Sequence, residues 1–456
     1  MTALATLGWP GGARRRRVPS EPATGGGSRG SSPRVSTASR ATRSIRAAAA
    51  RIDAATPASR DRTVDALRAL AIAGVILGHW LVTALVLPPS GHGSQLRDTS
   101  PLATMPGLAP VSWIFQTLAI FFLVGGYSVA VSYQGSNYLA WLRKRLTRLC
   151  RPVAVLAAVW VPLTAAMLLA GVPGGTVHTV VTLVLDPLWF LCVFAGVTAL
   201  TPLAVALVRR LGAWAALLPA ALVAGVDAAR FGLGGPGWLG WLNVGAGWLV
   251  PYLLGIAWAR GSFRGWKVPA GLLAGGAAAT AALVTWAGYP ASMVGVNGER
   301  ISNLNPPTLA AVTFGIAQAG LVLLLRPTLA RLMRRPLAWA AVALANLSAM
   351  TLFLWHQSAF LAVYLTGSLI GRLPGLLTAP ATPLWIAERL AWLPVFAAVL
   401  AVAWLLFHRA EHGRAPRWLA SAWRSATQRR VPGGRPAISP GTDEMPRASR
   451  ELAASR

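Results

Sequence analysis

The first apolar segment of the chain carries two ionisable residues at a spacing that suits chemistry. Arg68 and His79 are eleven positions apart. In an α-helix this spacing corresponds to roughly 16 Å along the axis and to three turns plus about 20°, so both side chains share one face. Ionisable residues inside a membrane helix are costly and are therefore functional candidates. The pattern predicts a guanidinium at the cytoplasmic surface and an imidazole near mid-bilayer.

A helix face with a cation at one end and an imidazole further along suits an elongated acyl donor that has an anionic head and a reactive end. A coenzyme A thioester has this shape. Its phosphates would lie at Arg68, and the thioester would reach His79. Histidine is the natural general base near neutral pH, so it could take a proton from an acceptor hydroxyl that attacks the thioester. A histidine hydrogen-bonded inside the bundle, or one in a relay or pore, explains the same spacing without this chemistry.

The composition indicates that the solvent around this chain is a lipid bilayer. Of the 456 residues 55% are hydrophobic and only 12% are charged, against about 25% charged in soluble domains. The net charge of +29 first suggests a nucleic-acid partner. The excess, however, lies in the two tails and in short loops between apolar segments, as the positive-inside rule predicts. We therefore predict no nucleic-acid partner.

The elements that position the two residues are apolar segments of about 20 residues, the length that spans a bilayer. They predict an all-α polytopic bundle of about ten transmembrane helices, of which the ninth is long enough to be tilted or broken. The segments are 64–87, 111–133, 152–171, 187–208, 212–229, 238–258, 268–287, 308–326, 337–364 and 389–408.

The distribution of basic residues predicts the orientation and the domains. With the N-terminus in the cytoplasm, 14 Lys and Arg residues lie in cytoplasmic loops and at most five in the opposite loops, so we predict both termini inside and a multi-pass inner-membrane protein. We expect disordered basic cytoplasmic tails at 1–59 and 411–456 and a transmembrane domain at 60–410. The two cysteines, Cys150 and Cys192, show no metal or disulfide spacing, so no metal site is predicted.

Five short sequence motifs occur in a fixed order along the chain, and together they are more specific than any one of them alone. They are residues 65–71 with Gly78 and His79, residues 120–127 (IFFLVGGY), residues 143–152 (RKRLTRLCRP), residues 187–191 (PLWFL) and residues 347–356 (LSAMTLFLWH). They resemble, in turn, the Arg–His first helix, the FF-x-x-SG-[FY] stretch, the Arg-x-x-Arg element, the LWFL segment and the late Ser-to-His helix of the membrane-bound acyltransferase-3 family. The departure is Gly125, where the family usually has Ser. The resemblance covers residues 60–410.

The resemblance implies an acyltransferase, transferring groups other than amino-acyl groups, with acyl-CoA as co-substrate and no permanently bound cofactor. The acceptor would be an extracytoplasmic hydroxyl, often on a sugar, and the acyl group would be acetyl or another short chain. By this carry-over His79 is the catalytic base and Arg68 belongs to the donor site. Arg145 and Arg148 match the Arg-x-x-Arg element that is thought to hold the CoA phosphates, and Arg148 with Arg151 forms an overlapping second pair. Clustered guanidinium groups suit phosphate because each binds two oxygens, although a topogenic charge cluster would look the same.

Three further residues are candidates for the acceptor site. His356 could position the acceptor or the thioester, or make only a structural hydrogen bond. Asp186 could orient an acceptor or His79, and an N-cap of the fourth helix is the plainer interpretation. Asn305 belongs to the polar segment 289–307, whose length is typical of a functional loop.

Two functions of other classes remain open at this point. A transporter of a small or acyl-modified solute would need paired discontinuous helices and charges at mid-membrane, which are sparse here. A non-catalytic scaffold or sensor would leave His79 and the Arg-x-x-Arg element replaceable. The sequence does not name the acceptor or any protein partner.

Overall fold

Helices form nearly all of the regular structure, as the apolar segments predict. The computed structural model describes residues 37–86, 96–133, 135, 137–296, 299 and 301–411. The helices are α1 Thr37–Ala54, α2 Arg62–Val82, α3 Pro101–Thr104, α4 Ser112–Phe115, α5 Leu118–Ser132, α6 Tyr138–Leu169, α7 Gly174–Ala199, α8 Thr201–Leu211, α9 Leu217–Asp227, α10 Gly240–Ala259, α11 Lys267–Trp286, α12 Leu309–Leu332, α13 Pro336–Leu347, α14 Ala349–Ser368 and α15 Pro383–Glu411. Two short strands, β1 Ala84–Val86 and β2 Arg97–Thr99, pair antiparallel. Short 3-10 helices occur at Pro106–Val111, Gly212–Ala216 and Gly237–Leu239, and a π-helix at Ala228–Gly232.

The number of membrane-spanning helices agrees with the prediction of about ten. Over the described ranges, nine helical segments are long and apolar enough to cross a bilayer, and the bent pair α13–α14 brings the number to ten. The chain is therefore a polytopic helical membrane protein. The nine segments are Arg62–Val82, Pro106–Ser132, Tyr138–Leu169, Gly174–Ala199, Thr201–Gly232, Gly237–Ala259, Lys267–Trp286, Leu309–Leu332 and Pro383–Arg409.

Several boundaries differ from the predicted ones. The fourth span begins at Gly174 rather than at 187, because α7 continues through Pro187, which membrane helices tolerate when neighbouring groups satisfy the freed carbonyl. The ninth span, predicted to be long enough to be tilted or broken, is broken at Ser348, where α13 and α14 meet at an angle of 73°. The basic residues 143–151, predicted as a loop, lie inside α6.

The chain divides into two units, 1–48 and 49–456, and the site lies in the second. Residues 37–54 form α1, although we predicted disorder throughout 1–59. The run of four alanines at 47–50 explains the difference, since alanine has the highest helix propensity. Residues 1–36 and 412–456, which hold the rest of the two predicted tails, lie outside the described residues.

Helix α2 begins where the sequence provides a cap. Asp61 accepts hydrogen bonds from the backbone N–H groups of Thr63 (3.0 Å) and Val64 (3.3 Å), which are two of the donors that a helix start leaves unpaired. One turn later Asp65 pairs with Arg60 at 2.5 Å and with Arg68 at 3.4 Å. These contacts fix the register of the helix that carries Arg68 and His79.

Helices α5 and α10 pack with their backbones in direct contact. A Cβ atom on Gly126 would lie 2.0 Å from the carbonyl oxygen of Tyr252, and one on Gly255 would lie 1.9 Å from that of Leu123. Small residues permit such close packing, which stabilises helix pairs in membranes where the hydrophobic effect between helices is weak. The two glycines therefore set the distance between these helices.

Replacing Gly255 by alanine should destabilise the bundle. The added methyl group meets a backbone carbonyl that cannot rotate away, so we expect a loss of roughly 3 kcal/mol, measured by thermal unfolding of the purified protein in detergent. Gly245→Ala on the same helix is the matched control, because a Cβ at Gly245 meets nothing within 4 Å. Equal unfolding midpoints for the two variants would contradict the packing argument.

Candidate active site

Two cavities lie at opposite ends of α2. The first, which we call the histidine cavity, has a volume of about 400 Å³ and includes His79 in its wall. The second, which we call the arginine cavity, has a volume of about 1010 Å³ and includes Arg68. Arg68 and His79, which are eleven positions apart on α2, therefore line two separate cavities.

The histidine cavity combines polar groups with aromatic rings. It is built from the end of α2, strand β2, the start of α5, the middle of α7 and the 289–308 segment. Its polar side chains are His79, Thr83, Asp98, Thr99, Ser100, Gln116, Thr182, Asp186, Ser302 and Asn305, and its aromatic ones are Phe115, Trp189, Phe190 and Phe353. A cavity with a few converging polar groups on an apolar wall is the usual form of a small-molecule site.

His79 is half-buried and has one ring nitrogen occupied. Its Nδ1 atom lies 3.2 Å from Nε2 of Gln357, a residue on α14 that is 278 positions away in the chain. Because Nδ1 faces Gln357, Nε2 is the nitrogen that remains for a group inside the cavity. The orientation of the imidazole is therefore set by a residue of another helix.

His356 occupies a different position from the one expected for an acceptor-binding residue. Its side chain is fully buried, and it belongs to the lining of neither cavity. Nδ1 lies 2.5 Å from the carbonyl oxygen of Phe353, and the ring centroid is 5.1 Å from that of His79. His356 therefore lies beside His79 rather than facing the cavity, which corresponds to the structural alternative for this residue.

Asp186 and Asn305 both line the histidine cavity together with His79. Asp186 lies in the middle of α7 and not at its start, so the N-cap interpretation is wrong. Its carboxylate is near enough to His79 and to Asp98 to interact with both electrostatically. Three candidates from distant parts of the sequence thus share one space.

The 289–308 segment that carries Asn305 is held at several points. Asn303 donates to the carbonyls of Pro290 (2.7 Å) and Ser292 (2.9 Å), and it accepts from the hydroxyl of Thr308 at 2.6 Å. These bonds close the segment on itself, so Asn303 is a structural residue and Asn305 is left at the cavity. Asn297 and Arg300 lie outside the described residues.

Both ends of this segment are attached to one carboxylate. Asp227 accepts from Tyr289 (3.0 Å), from Asn243 (2.9 Å) and from the backbone N–H of Leu309 (2.7 Å). Burial, together with the Asp227 carboxylate, raises the pKa of Tyr289, so its hydroxyl remains a donor at physiological pH. The described residues of this segment, 289–296, 299 and 301–308, are therefore held in place beside the histidine cavity.

The arginine cavity gathers cations from α2 and α6. Arg68 donates to the hydroxyl of Ser128 at 2.8 Å, which ties α2 to α5. The basic side chains in its wall are Arg60, Arg68, Arg143, Lys144, Arg148 and Arg151, and Asn346 joins them from α13. Several guanidinium groups around one space suit a ligand with more than one phosphate.

The structure distinguishes the two overlapping arginine pairs of α6. Arg148 and Arg151 line the cavity, whereas Arg145 does not. Arg145 donates instead to the hydroxyl of Ser132 at 2.6 Å, and its guanidinium lies 4.9 Å from the ring centroid of Trp141. Helical geometry explains the difference. The basic lining residues of α6 lie between about 100° before and about 40° after position 144 around the helix, whereas Arg145 lies about 100° after it.

The site and its surrounding helices match a known protein family. A family model described as an acyltransferase domain, that of acyltransferase 3, matches residues 61–408. The chain belongs to the acyltransferase-3 family. No curated protein and no solved structure has a significant match to it.

Family membership makes this chain a membrane acyltransferase, and the match includes every residue of the two cavities except Arg60. In the described part of this acyltransferase, no group of three or more His, Cys, Asp or Glu side chains could hold a metal ion. Cys150 and Cys192 are exposed free thiols. The functional candidates are therefore the histidine, the carboxylates, the amides and the arginines already described.

Several residues of the two sites of this acyltransferase were not predicted from the sequence, and three of them illustrate why. Gln357 contacts His79, Ser128 holds Arg68, and Asp98 lies in the histidine cavity. Gln357 directly follows His356, so the late-helix motif that included His356 ended one residue too early. Ser128 and Asp98 carry no local signal, because their roles depend on contacts between distant elements.

Proposed function

We propose that this protein is an integral inner-membrane O-acyltransferase that moves an acyl group, acetyl in the first instance, from cytoplasmic acyl-CoA to a hydroxyl of an extracytoplasmic glycan or glycolipid. The observation that supports it most is the pair of cavities at the two ends of α2, one lined by arginines and one containing His79. A donor with an anionic head and a reactive thioester needs both kinds of surface.

In this proposal the arginine cavity binds the head of the donor. Arg68, Arg148 and Arg151 contact its phosphates, and the pantetheine arm runs along α2 towards His79. Charge-assisted bonds between guanidinium and phosphate are about twice as strong as neutral hydrogen bonds. The donor is therefore recognised mainly by its nucleotide phosphates, away from the reacting carbonyl.

The transfer step takes place at the inner end of the histidine cavity. Nε2 of His79 accepts the proton of the acceptor hydroxyl as that oxygen attacks the thioester carbonyl carbon. The tetrahedral intermediate then collapses, the C–S bond breaks, and the CoA sulfur leaves and regains a proton from the imidazolium. The nearby Asp186 carboxylate stabilises the imidazolium while it exists.

The lining of the histidine cavity suits a polyol acceptor. Ser302, Asn305 and Gln116 offer hydroxyl and amide groups, which are matched to the hydroxyls of a sugar. Trp189 adds an aromatic wall in the same cavity. In the proposed reaction Asp186 and Asn305 orient the acceptor, while His356 supports the ring of His79 from behind.

The proposed orientation places the arginine cavity in the cytoplasm. The basic residues of α6 and the loop from Arg331 to Arg335 lie with the Arg68 end of α2 in the predicted cytoplasmic regions, and cytoplasmic loops of membrane proteins are enriched in Lys and Arg. Both termini then lie inside, and the histidine cavity opens towards the other side of the membrane, where acyl-CoA is absent and envelope glycans are present.

Membrane vesicles of both orientations test donor, reaction and sidedness together. Vesicles from cells lacking the gene, and from the same cells expressing it, are incubated with acetyl-CoA labelled in the acetyl group. We expect base-labile label in the lipid and glycan fractions of inverted vesicles that contain the protein. Right-side-out vesicles expose the wrong face and should stay unlabelled.

The other outcomes distinguish the alternatives. Label in right-side-out vesicles alone would reverse the proposed orientation. An absence of protein-dependent ester in both vesicle types, with total envelope esters of intact cells also unchanged, would rule out acyl transfer from acetyl-CoA. Flux of labelled solutes would then be measured to test the transporter alternative.

A further inference from the structure

We infer that Gln357 is the positioning residue of His79, and that a half-turn of its side-chain amide sets the tautomer in which Nε2 is free to act as base. The inference rests on the proposed function, because it assigns a task to Gln357 only if His79 accepts a proton. It begins from one contact, the 3.2 Å separation between Nδ1 of His79 and Nε2 of Gln357.

The chemistry of imidazole makes this contact decisive. A neutral histidine carries one proton, and the partner of one ring nitrogen determines where that proton lies. For Nε2 to accept a proton from the acceptor, Nδ1 has to hold the ring proton and donate it. After the transfer both nitrogens are donors, so Nδ1 still requires an acceptor.

A glutamine side-chain amide can form a hydrogen bond with Nδ1 whether or not Nδ1 carries a proton. Its oxygen accepts and its nitrogen donates, and a half-turn about the last side-chain bond exchanges the two. With nitrogen towards Nδ1, as in the structure, the ring proton of His79 is on Nε2. With Oε1 in that place, the amide accepts the Nδ1 proton and Nε2 becomes the base. The present contact is the resting orientation, and the half-turn gives the reactive one.

Gln357 has the placement that such a task requires. Its side chain is fully buried, and Oε1 has no hydrogen-bond partner among the described residues, so no competing bond fixes the amide in one orientation. Burial without a partner is costly for an amide oxygen. The half-turn gives Oε1 the Nδ1 proton of His79 and places Nε2 where Oε1 had been, so each orientation pairs one amide atom and neither is strongly preferred by the surroundings.

The backbone around Gln357 is held on both sides. Trp80, which follows His79 on α2, donates its indole N–H to the carbonyl oxygen of His356 at 3.2 Å. Trp160 on α6 donates to the hydroxyl of Ser358 at 2.9 Å. The residues before and after Gln357 are therefore bound to two other helices, which fixes the distance between the amide and the imidazole.

The other ionisable groups near His79 do not perform this task. Asp186 from α7 and Asp98 from β2 lie in the histidine cavity, where they face the acceptor. His356 from α14 bonds the carbonyl oxygen of Phe353 through Nδ1. Gln357 supplies the one hydrogen bond that the structure gives to Nδ1 of His79 among the described residues.

Two substitutions of opposite character test the inference in inverted vesicles, with acetyl-CoA as the probe and both sides of the membrane at the same buffered pH. Gln357→Met keeps the volume and removes the hydrogen bond. We expect kcat to fall about 100-fold with an unchanged KM for acetyl-CoA, and the acidic limb of the pH profile to move to lower pH. Gln357→Glu keeps an acceptor and adds charge, so it should retain much of kcat and move that limb to higher pH.

The controls separate this inference from the proposed function. Ser368→Ala removes an exposed hydroxyl at the far end of α14, where it bonds the carbonyl oxygen of Leu365, and should change kcat by less than about threefold. If Gln357→Met keeps kcat within that range, or shows an unshifted limb, Gln357 does not position His79. If Gln357→Glu fails to fold, the shift of the acidic limb of the pH profile of Gln357→Met is sufficient to test the inference. Activity in His79→Ala would instead overturn the proposed role of His79 itself.

Discussion

Replacing His79 by alanine should reduce acyl transfer about 1,000-fold, because it removes the general base, whose contribution is typically 10² to 10⁴. The variant keeps the arginine cavity, so its KM for acetyl-CoA should stay close to that of the wild type. The measurement is base-labile acetyl label in inverted vesicles, at equal protein level in the membrane. The same variant should fail to restore the missing ester in cells that lack the gene.

His178→Ala is the matched control for this experiment. His178 is exposed on α7 and lines neither cavity, so its removal should leave the rate unchanged. A His79→Ala protein with wild-type activity would show that another group activates the acceptor. An inactive His178→Ala protein would show that loss of a histidine can abolish activity by disturbing the fold, so the loss in His79→Ala could not be assigned to the general base.

Removing the arginine pair of α6 should weaken donor binding while sparing the chemical step. Arg148 and Arg151 both line the arginine cavity, and hydrogen bonds to charged groups contribute roughly 1.5–3 kcal/mol each. We therefore expect the Arg148→Ala/Arg151→Ala double variant to raise the KM for acetyl-CoA about 100-fold. The kcat at saturating donor should change little, because these side chains lie away from the reacting carbonyl.

Acetyl-pantetheine makes this prediction specific, since it carries the thioester without the nucleotide phosphates. The double variant should use it as well as the wild type does. Arg209→Ala, an exposed substitution on α8 away from both cavities, serves as the control for lost positive charge. Equal loss of activity with both donors would indicate that the arginines support the fold rather than the phosphates.

Arg145 provides a further comparison within the same element. It bonds Ser132 and the backbone of Ser128 on α5 and lies outside the cavity lining. Through Ser128 it is one contact removed from Arg68. Its role in the proposed site is therefore to hold α5 and α6 together near the phosphate-binding residues, and the overlapping pair Arg148–Arg151 is the one that faces the donor.

The class of this protein and the shared helix face of Arg68 and His79 follow from the sequence alone. Apolar segments of bilayer length predict the helices because the backbone must satisfy its own hydrogen bonds in lipid. The spacing of Arg68 and His79 places them on one face through helix geometry alone. The ordered motifs predicted the acyltransferase-3 family, which the match over residues 61–408 confirms.

The tertiary structure alone decided which side chains meet. Gln357 contacts His79, which lies 278 positions away in the chain. His356 is not part of the cavity lining, and Arg148 lines the arginine cavity whereas Arg145 does not. No local pattern encodes these contacts, because they depend on how helices pack and on the break between α13 and α14. Periodicity fixes the face of a helix that a residue occupies, whereas only packing determines what that face touches.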